Sequence, residues 1–497
     1  MTDRKDRRPA RHAADSERKA HRDSFLETVE SLIVAFILAF VFRAYVVEAF
    51  VIPTGSMAPR LNGKHIECTC ANCGYPYRVG IGKSGLGAVA WECPLCGHTR
   101  VTQREAGGFV GDRILVLKYY YDFFPPERWD VIVFKFPGDT TENYIKRLVG
   151  LPGETVEVRD GDVYINSAIA RKPDRAQSAL WMPVGDTDYW DWKNGPHWQP
   201  ESGGDRSWQH GRMPVTFRPD GDQMSYLVYH HFGPGGQEVP IRDFYAYDDP
   251  LVGEGRGDNR QIVTDIRLVA DLEVTGAPGE GTVELVLGAC GDTFRFILPV
   301  EGSGQTARIL HNDEVIAKGD TAPLPVGRKV AIEVANVDQK LVFKVDGRRV
   351  ICQPGSDGFD EFGDVVYDVP AGARQRWLAS HKAEDAAAVK IGIAGTEATL
   401  HRLRVGRDIH YTKIPPPTRS PGFGIEGLPY ELHDDEFFVL GDNSPQSQDS
   451  RWWEDSPVVP RRNLVGKAFF VYWPAAGRRY GVPIPVAPDI RGFRFIR

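Results

Sequence analysis

The chain has 497 residues, too many for one compact core, so two or more domains are expected. Its hydrophobic fraction of 42% and charged fraction of 26% are those of globular protein, and 52 Gly with 36 Pro imply many turns and a mainly β chain. A net charge of -7 without a long basic patch excludes nucleic acid as a partner, and seven Cys are too few for a disulfide scaffold.

Residues 1–23 form a polar tail with Arg4, Lys5, Arg7, Arg8, Arg11, Arg18, Lys19 and Arg22, and an apolar run follows that only Arg43 and Glu48 interrupt. About 20 apolar residues span a bilayer, so residues 24–52 are expected to form one transmembrane helix, with Arg43 and Glu48 snorkelling at its outer interface. The basic tail then stays in the cytoplasm and everything after Ile52 lies outside. A cleaved secretory signal has a similar outline, but no clear small-residue cleavage site follows this run.

Directly after it, Pro53-Thr54-Gly55-Ser56-Met57-Ala58-Pro59 is a turn-rich stretch that presents one serine. Position alone does not make a serine reactive; it needs a base. Farther on, five cysteines crowd between Cys68 and Cys96. Cys70-Ala71-Asn72-Cys73-Gly74 and Cys93-Pro94-Leu95-Cys96-Gly97 are two knuckles whose spacing suits four-coordinate structural zinc, with Cys68 and His98 as spare ligands. Disulfides are the alternative, because this module is expected to face an oxidising compartment.

Asp130-Val131-Ile132-Val133-Phe134 and Tyr144-Ile145-Lys146-Arg147-Leu148-Val149 read as strands, the second closed by a Gly150-Leu151-Pro152-Gly153 turn. Alternation sets Tyr144, Lys146 and Leu148 on one face. A lysine serves as a base near neutral pH only if burial lowers its pKa by roughly 3 units, and a lysine among apolar neighbours on a strand meets that condition. Arg147, on the opposite face and always charged, is expected to hold the fold through a carboxylate. Residues 168–410 begin with a Trp-rich part (Trp181, Trp190, Trp192, Trp198, Trp208) of little periodicity. From Thr264 short strands alternate with turns, from Ile266 to Val405, which points to an antiparallel sandwich. A last apolar strand, Phe437 to Leu440, leads into Gly441-Asp442-Asn443-Ser444-Pro445-Gln446-Ser447-Gln448-Asp449-Ser450-Arg451.

Taken together, these blocks resemble bacterial signal peptidase I, the Ser/Lys enzymes that remove signal peptides from exported proteins. Thr54-Gly55-Ser56-Met57 resembles the family's nucleophile box, and Gly111 to Val116 with Asp130 to Phe134 its central strands. Tyr144 to Glu154 resembles the box of the lysine base, and Gly441 to Arg451 the last box, all in the family's order. The resemblance implies that Ser56 is the nucleophile and Lys146 its base. It implies further that Ser447 fixes the lysine amine, that the Ser56 N–H and Thr54 hydroxyl stabilise the oxyanion, and that Asp449 and Arg451 form a supporting ion pair. No cofactor is needed for that chemistry. Arg60 and Ser444 depart from the family, which usually has Thr after the proline and often Arg in the last box.

On this resemblance, residues 53–61, 111–167 and 411–497 form a β catalytic domain. Residues 62–110 are then an inserted zinc-ribbon-like module and residues 168–410 an inserted sandwich, whose Val330-to-Arg348 hairpin is similar to those of laminin-G or concanavalin-type jelly rolls. The implied partners are signal-peptide-bearing preproteins and membrane lipid, with a carbohydrate or protein ligand for the sandwich. The implied location is the inner membrane, the catalytic domain on its periplasmic side. Two other readings stay open: a self-cleaving Ser/Lys regulator, which would need a DNA-binding head that is missing here, and an inactive membrane-tethered binding protein.

Overall fold

A computed structural model describes residues 26–38, 40–41, 45–81, 88–103, 111–221, 223–248, 260–319, 322–370, 372–413, 420–473 and 493–497. The basic tail and Arg43 lie outside the described residues. Residues 26–38 and 40–41 are helical, and Leu32, Val34, Phe36, Leu38 and Phe40 present their side chains outward. Among the described residues no helix is long and apolar enough to cross a membrane. The helix expected as far as Ile52 gives way to a strand at Val47–Val51, which pairs with Arg113–Leu117. Val47, Val51 and Ile52 are β-branched and favour that conformation, Ile52 is buried in the core below, and Glu48 pairs with Lys118 at 3.2 Å instead of snorkelling.

The rest is mainly β. One antiparallel sheet runs in the order Val47–Val51, Arg113–Leu117, Leu464–Trp473, Val131–Phe136, Asp139–Gly150, Glu436–Leu440, Val459–Pro460, so its strands come from the two ends of the chain. A smaller sheet of Ala168–Ile169, Asp162–Ile165, Thr155–Arg159 and Tyr430–Glu431 packs beside it. Ile132, Phe134, Leu148, Phe437 and Val439 fill one apolar cluster of the large sheet, and Ile52, Met57, Ile114, Val133 and Val471 another.

Two further sheets face each other as a sandwich. One contains Ala398–Arg407, Ile266–Val274, Lys329–Val337 and Lys340–Val345, and the other Ser225–Tyr229, Ala387–Ala394, Thr282–Ala289 and Asp292–Pro299. Phe296 and Phe343 meet across the layers, ring centroids 5.3 Å apart, in a core with Leu285, Ile332, Val334 and Leu400. The strands expected between Ile266 and Val405 are present, Ile266–Val274 and Lys340–Val345 with the same ends. The Trp-rich part, which lacks periodicity, supplies strands of two to five residues to both sheets: Met182–Asp186, Trp198–Pro200, Trp208–Gln209, Val215–Phe217 and Ser225–Tyr229. Trp181, Trp198 and Trp208 are buried, whereas Trp192 is 69% exposed.

Both long excursions leave and re-enter at neighbouring points. Asp112 N–H donates to the Asn62 carbonyl and Asn62 N–H to Asp112 Oδ2, at 2.8 and 2.9 Å, which closes the base of the Cys-bearing segment. Tyr411 N–H donates to the Gly161 carbonyl at 2.9 Å and Gln177 Nε2 to Asp408 Oδ1 at 2.6 Å, which closes the base of the sandwich. A loop whose ends are pinned together adds little closure entropy to the host sheet however long it is.

Candidate active site

Asp139–Gly150 carries Lys146 opposite Ile132, in the middle of the large sheet. Apolar neighbours leave the lysine 4% exposed, and Ser56 arrives on the turn after Ile52 at 9% exposed. Lys146 Nζ lies 2.8 Å from Ser56 Oγ and 3.1 Å from the Ile145 carbonyl. Burial lowers the lysine pKa from 10.5 to about 8, against the pull of Asp449 and Asp442, which favour the ammonium. A neutral amine in hydrogen-bond range of a hydroxyl is the arrangement that lets a serine lose its proton.

Arg147, the next residue, forks onto Asp442 with Nε–Oδ1 and Nη2–Oδ2 both at 2.7 Å, each side chain 1% exposed. Its Nη1 also donates to the Trp129 carbonyl at 2.8 Å. This pair ties the lysine strand to the loop Gly441–Arg451, and the same loop grips the serine: Asn443 N–H donates to the Ser56 carbonyl at 3.0 Å. Asp449 and Arg451 pair at 3.0 and 2.8 Å, both fully buried. Asp449 Oδ2 takes the Gly441 N–H at 2.9 Å, and Arg451 Nη1 donates to the Thr412 carbonyl at 2.6 Å and to Ser444 Oγ at 2.9 Å. Ser444, a departure from the family pattern, therefore serves as an acceptor for the arginine.

Ser447 makes no hydrogen bond to Lys146, and Thr54 lies on the serine turn. Ser447 is buried in the same loop, but its Oγ lies against Gly441, 2.2 Å from where a Cβ would stand there, and has no hydrogen-bond partner. The second hydrogen bond of the Lys146 amine goes to the Ile145 carbonyl. Thr54 is exposed on the serine turn, its backbone packed against Gly63. The contacts of Arg147, Asp442 and Asn443 carry the geometry, although only Arg147 stood out in the sequence, as a charge on an apolar strand. Tyr245, Tyr247 and Asp248 also reach this site; nothing in the sequence marks them, since they lie about 190 residues from both Ser56 and Asp442.

The four knuckle cysteines converge. Their Sγ atoms lie within 4.8 Å of one another, with Cys70–Cys96 and Cys73–Cys93 at 3.6 Å, and all four are buried. A disulfide needs sulfurs about 2.05 Å apart, whereas four thiolates about 2.3 Å from a central zinc ion stand roughly 3.8 Å apart. The spacing fits the second. Both knuckles close identically: Gly74 N–H donates to the Cys70 carbonyl at 2.9 Å and Gly97 N–H to that of Cys93 at 3.0 Å, with both glycines at positive φ of 79° and 63°. Cys68 and His98 stand outside the cluster, and Cys290 and Cys352 are also free thiols.

Residues 103–195 and 409–473 match the family model described as Signal peptidase, peptidase S26. A signal peptidase I of Rickettsia bellii is 29% identical over 154 residues, 31% of this chain and 43% of that protein. One of Rickettsia typhi is 32% identical over 130 residues, 26% of this chain and 39% of that protein. The matched region thus spans less than half the length of these relatives. Among solved structures, a carbohydrate binding module of Bacillus subtilis is similar over 42% of this chain and 94% of its own, at 12% identity and a TM-score of 0.26.

Removing one partner of the Arg147–Asp442 pair strands a buried charge. Arg147→Ala or Asp442→Ala is expected to destabilise the large sheet by about 3–5 kcal/mol, read as a shift in denaturant midpoint; a shift equal to that of an exposed pair such as Arg175–Glu127 would show that the pair is not structural. The stretches that flank the sandwich, and with them the strand of Lys146 and the loop of Asp449 and Arg451, are the part of the chain that is similar to signal peptidase I.

Proposed function

We propose that this chain is a membrane-anchored serine endopeptidase of the signal peptidase I type that removes signal peptides from exported preproteins. The observation that carries the reading is the 2.8 Å approach of a buried lysine amine, on a strand within the stretch similar to that family, to the buried hydroxyl of Ser56, which precedes that stretch. Neutral Lys146 takes the Ser56 proton as Oγ attacks the scissile carbonyl. The Ser56 N–H, with the Thr54 hydroxyl, receives the oxyanion. The protonated lysine then gives its proton to the leaving amine, and an acyl-enzyme remains. A water that loses its proton to the same lysine releases the acid. Asp449 and Arg451 hold the shape of the loop Gly441–Arg451, and Ser447 in that loop is the group that orients the amine.

The outward-facing apolar residues of the helical segment 26–38 suit a lipid environment, and support an N-terminal anchor that keeps Ser56 at the outer membrane surface, where signal peptides emerge. Cys70, Cys73, Cys93 and Cys96 would hold a structural zinc ion, closed to substrate because all four positions of the tetrahedron are filled by protein. For the inserted sandwich, exposed Trp192, with the Arg212 guanidinium 4.1 Å above its ring, offers a platform for a carbohydrate or protein ligand.

Cleavage of a preprotein by detergent-solubilised protein tests the dyad: Ser56→Ala and Lys146→Met should each lower kcat at least about a thousandfold, and unchanged cleavage in either ends this reading. The pH profile tests the base. Only unprotonated lysine accepts the proton, so kcat/KM should rise with pH and level off above about 8; a profile flat from pH 6 to 10 would exclude Lys146 as the base. Elemental analysis should find about one zinc ion per chain that Cys93→Ser loses, and substoichiometric metal would favour disulfides.

A further inference from the structure

The inserted sandwich does not merely ride on the catalytic sheet. Its segment Ile241–Asp248 is rooted at Val263 N–H to Ile241 O, 2.8 Å, and at Arg407 Nη2 to Phe244 O, 2.6 Å, and reaches into the loops around Ser56. Tyr245 OH donates to the Asp442 carbonyl at 3.0 Å. The Tyr247 ring fills the space between two glycines: a Cβ on Gly55 would lie 2.0 Å from its Cε1, and one on Gly80 2.3 Å. Its hydroxyl donates to the Lys64 carbonyl at 2.9 Å, and its carbonyl accepts from Gly80 N–H at 2.7 Å. The Asp248 carboxylate accepts from Asn443 Nδ2 at 2.8 Å, and the same amide group donates to the Gly55 carbonyl at 3.0 Å.

The last contact bears on chemistry. In a trans peptide the C=O and the following N–H point in opposite directions, and the Gly55–Ser56 bond is trans. Whatever grips the Gly55 carbonyl therefore aims the Ser56 N–H the other way, toward the oxyanion. Asn443 Nδ2 shares the grip with the Ala58 N–H, which donates to the same carbonyl at 2.9 Å, and with its own N–H on the Ser56 carbonyl Asn443 clamps the peptides on both sides of the nucleophile. An amide side chain can flip, and an Asn443 oxygen turned toward the Gly55 carbonyl would repel it. Asp248 settles the choice: an acceptor on each side of the NH2 group leaves one orientation. Tyr247 meanwhile blocks the turn from moving outward.

We propose that Tyr247 and Asp248 of the inserted domain are positioning residues for the oxyanion-binding Ser56 N–H, acting through Gly55 and Asn443. The inserted domain is then part of the catalytic apparatus. This rests on the Ser/Lys reading above, and the two fail separately. Asp248→Ala should lower kcat roughly tenfold with KM within about twofold, because the ground-state amide leans little on that N–H, and Asp248→Asn, which keeps the acceptor, should restore most of the loss. A peptide aldehyde, whose hemiacetal oxygen occupies the oxyanion position, should lose affinity in step with kcat. The midpoint of the pH profile should stay near 8, because the charges acting on Lys146 are Asp449 and Asp442. Tyr247→Ala should behave like Asp248→Ala, with Tyr247→Phe near wild type; if Tyr247→Ala does not fold, the Asp248 pair decides. If Ser56→Ala is inactive while Asp248→Ala keeps wild-type kcat and aldehyde affinity, this proposal is wrong and the dyad stands. If Ser56→Ala cleaves normally, both fall.

Discussion

The buried fork between Arg147 and Asp442 is the contact on which the site is built. Arg147 follows Lys146 on one strand, and Asp442 precedes Asn443 on the loop that returns from the far end of the chain. One ion pair thereby sets the strand of Lys146 and the loop that holds the Ser56 carbonyl at a fixed separation. In the interior such a pair gains much from its geometry, since two parallel charge-assisted hydrogen bonds offset the desolvation of both groups. Asp442 also acts on the neighbouring lysine: with Asp449 it favours the Lys146 ammonium, and burial prevails in lowering the amine toward neutrality.

The two excursions leave that core untouched because each begins and ends at one place. Asn62 and Asp112 bond across the mouth of the Cys-bearing segment, and Gly161 with Tyr411 and Gln177 with Asp408 across that of the sandwich. A second buried lysine, Lys172, with Asp338 and Asp408 as counter-ions, cements the sandwich to its root. Yet neither excursion is a passive appendage. Gly63, at the base of the Cys-bearing segment, lies on the Thr54 backbone, and Tyr247 joins Gly80 of that segment to Gly55 of the serine turn. Asn72, within the first knuckle, donates to Asp191 of the sandwich at 2.7 Å. The Cys-bearing segment, the sandwich and the serine turn form one contiguous packing unit, so order in the cysteine cluster bears on the placement of Ser56.

Much was legible from residue order alone. The two knuckles announced a four-sulfur cluster because thiol pairs with a following glycine make the same turn wherever they occur. Lys146 announced itself because a charge in an apolar strand needs a reason, and the regular strands from Ile266 to Val405 follow from alternation of apolar residues, which local sequence dictates. Where the local signal was weak the reading strayed. The apolar run to Ile52 carries helix-compatible hydropathy, but pairing with Arg113–Leu117 is a tertiary contact and turned its end into a strand. The short strands around Trp198 and Ser225 exist because neighbouring strands of the sandwich complete them, and two to five residues hold no period to detect.

Sequence by itself determined the chemical inventory: a serine on a turn, a lysine on an apolar strand, four paired thiols and a mainly β chain, each a consequence of residue type and short-range spacing. Only the tertiary structure decided which of these meet, and how. It set Lys146 Nζ 2.8 Å from Ser56 Oγ, turned Ser447 toward Gly441, and brought Asp248 onto Asn443 from about 190 residues away. Distance along the chain carries no information about such contacts; they arise when separate strands and loops close around a shared core, and the direction of each side chain is settled by what the others leave room for.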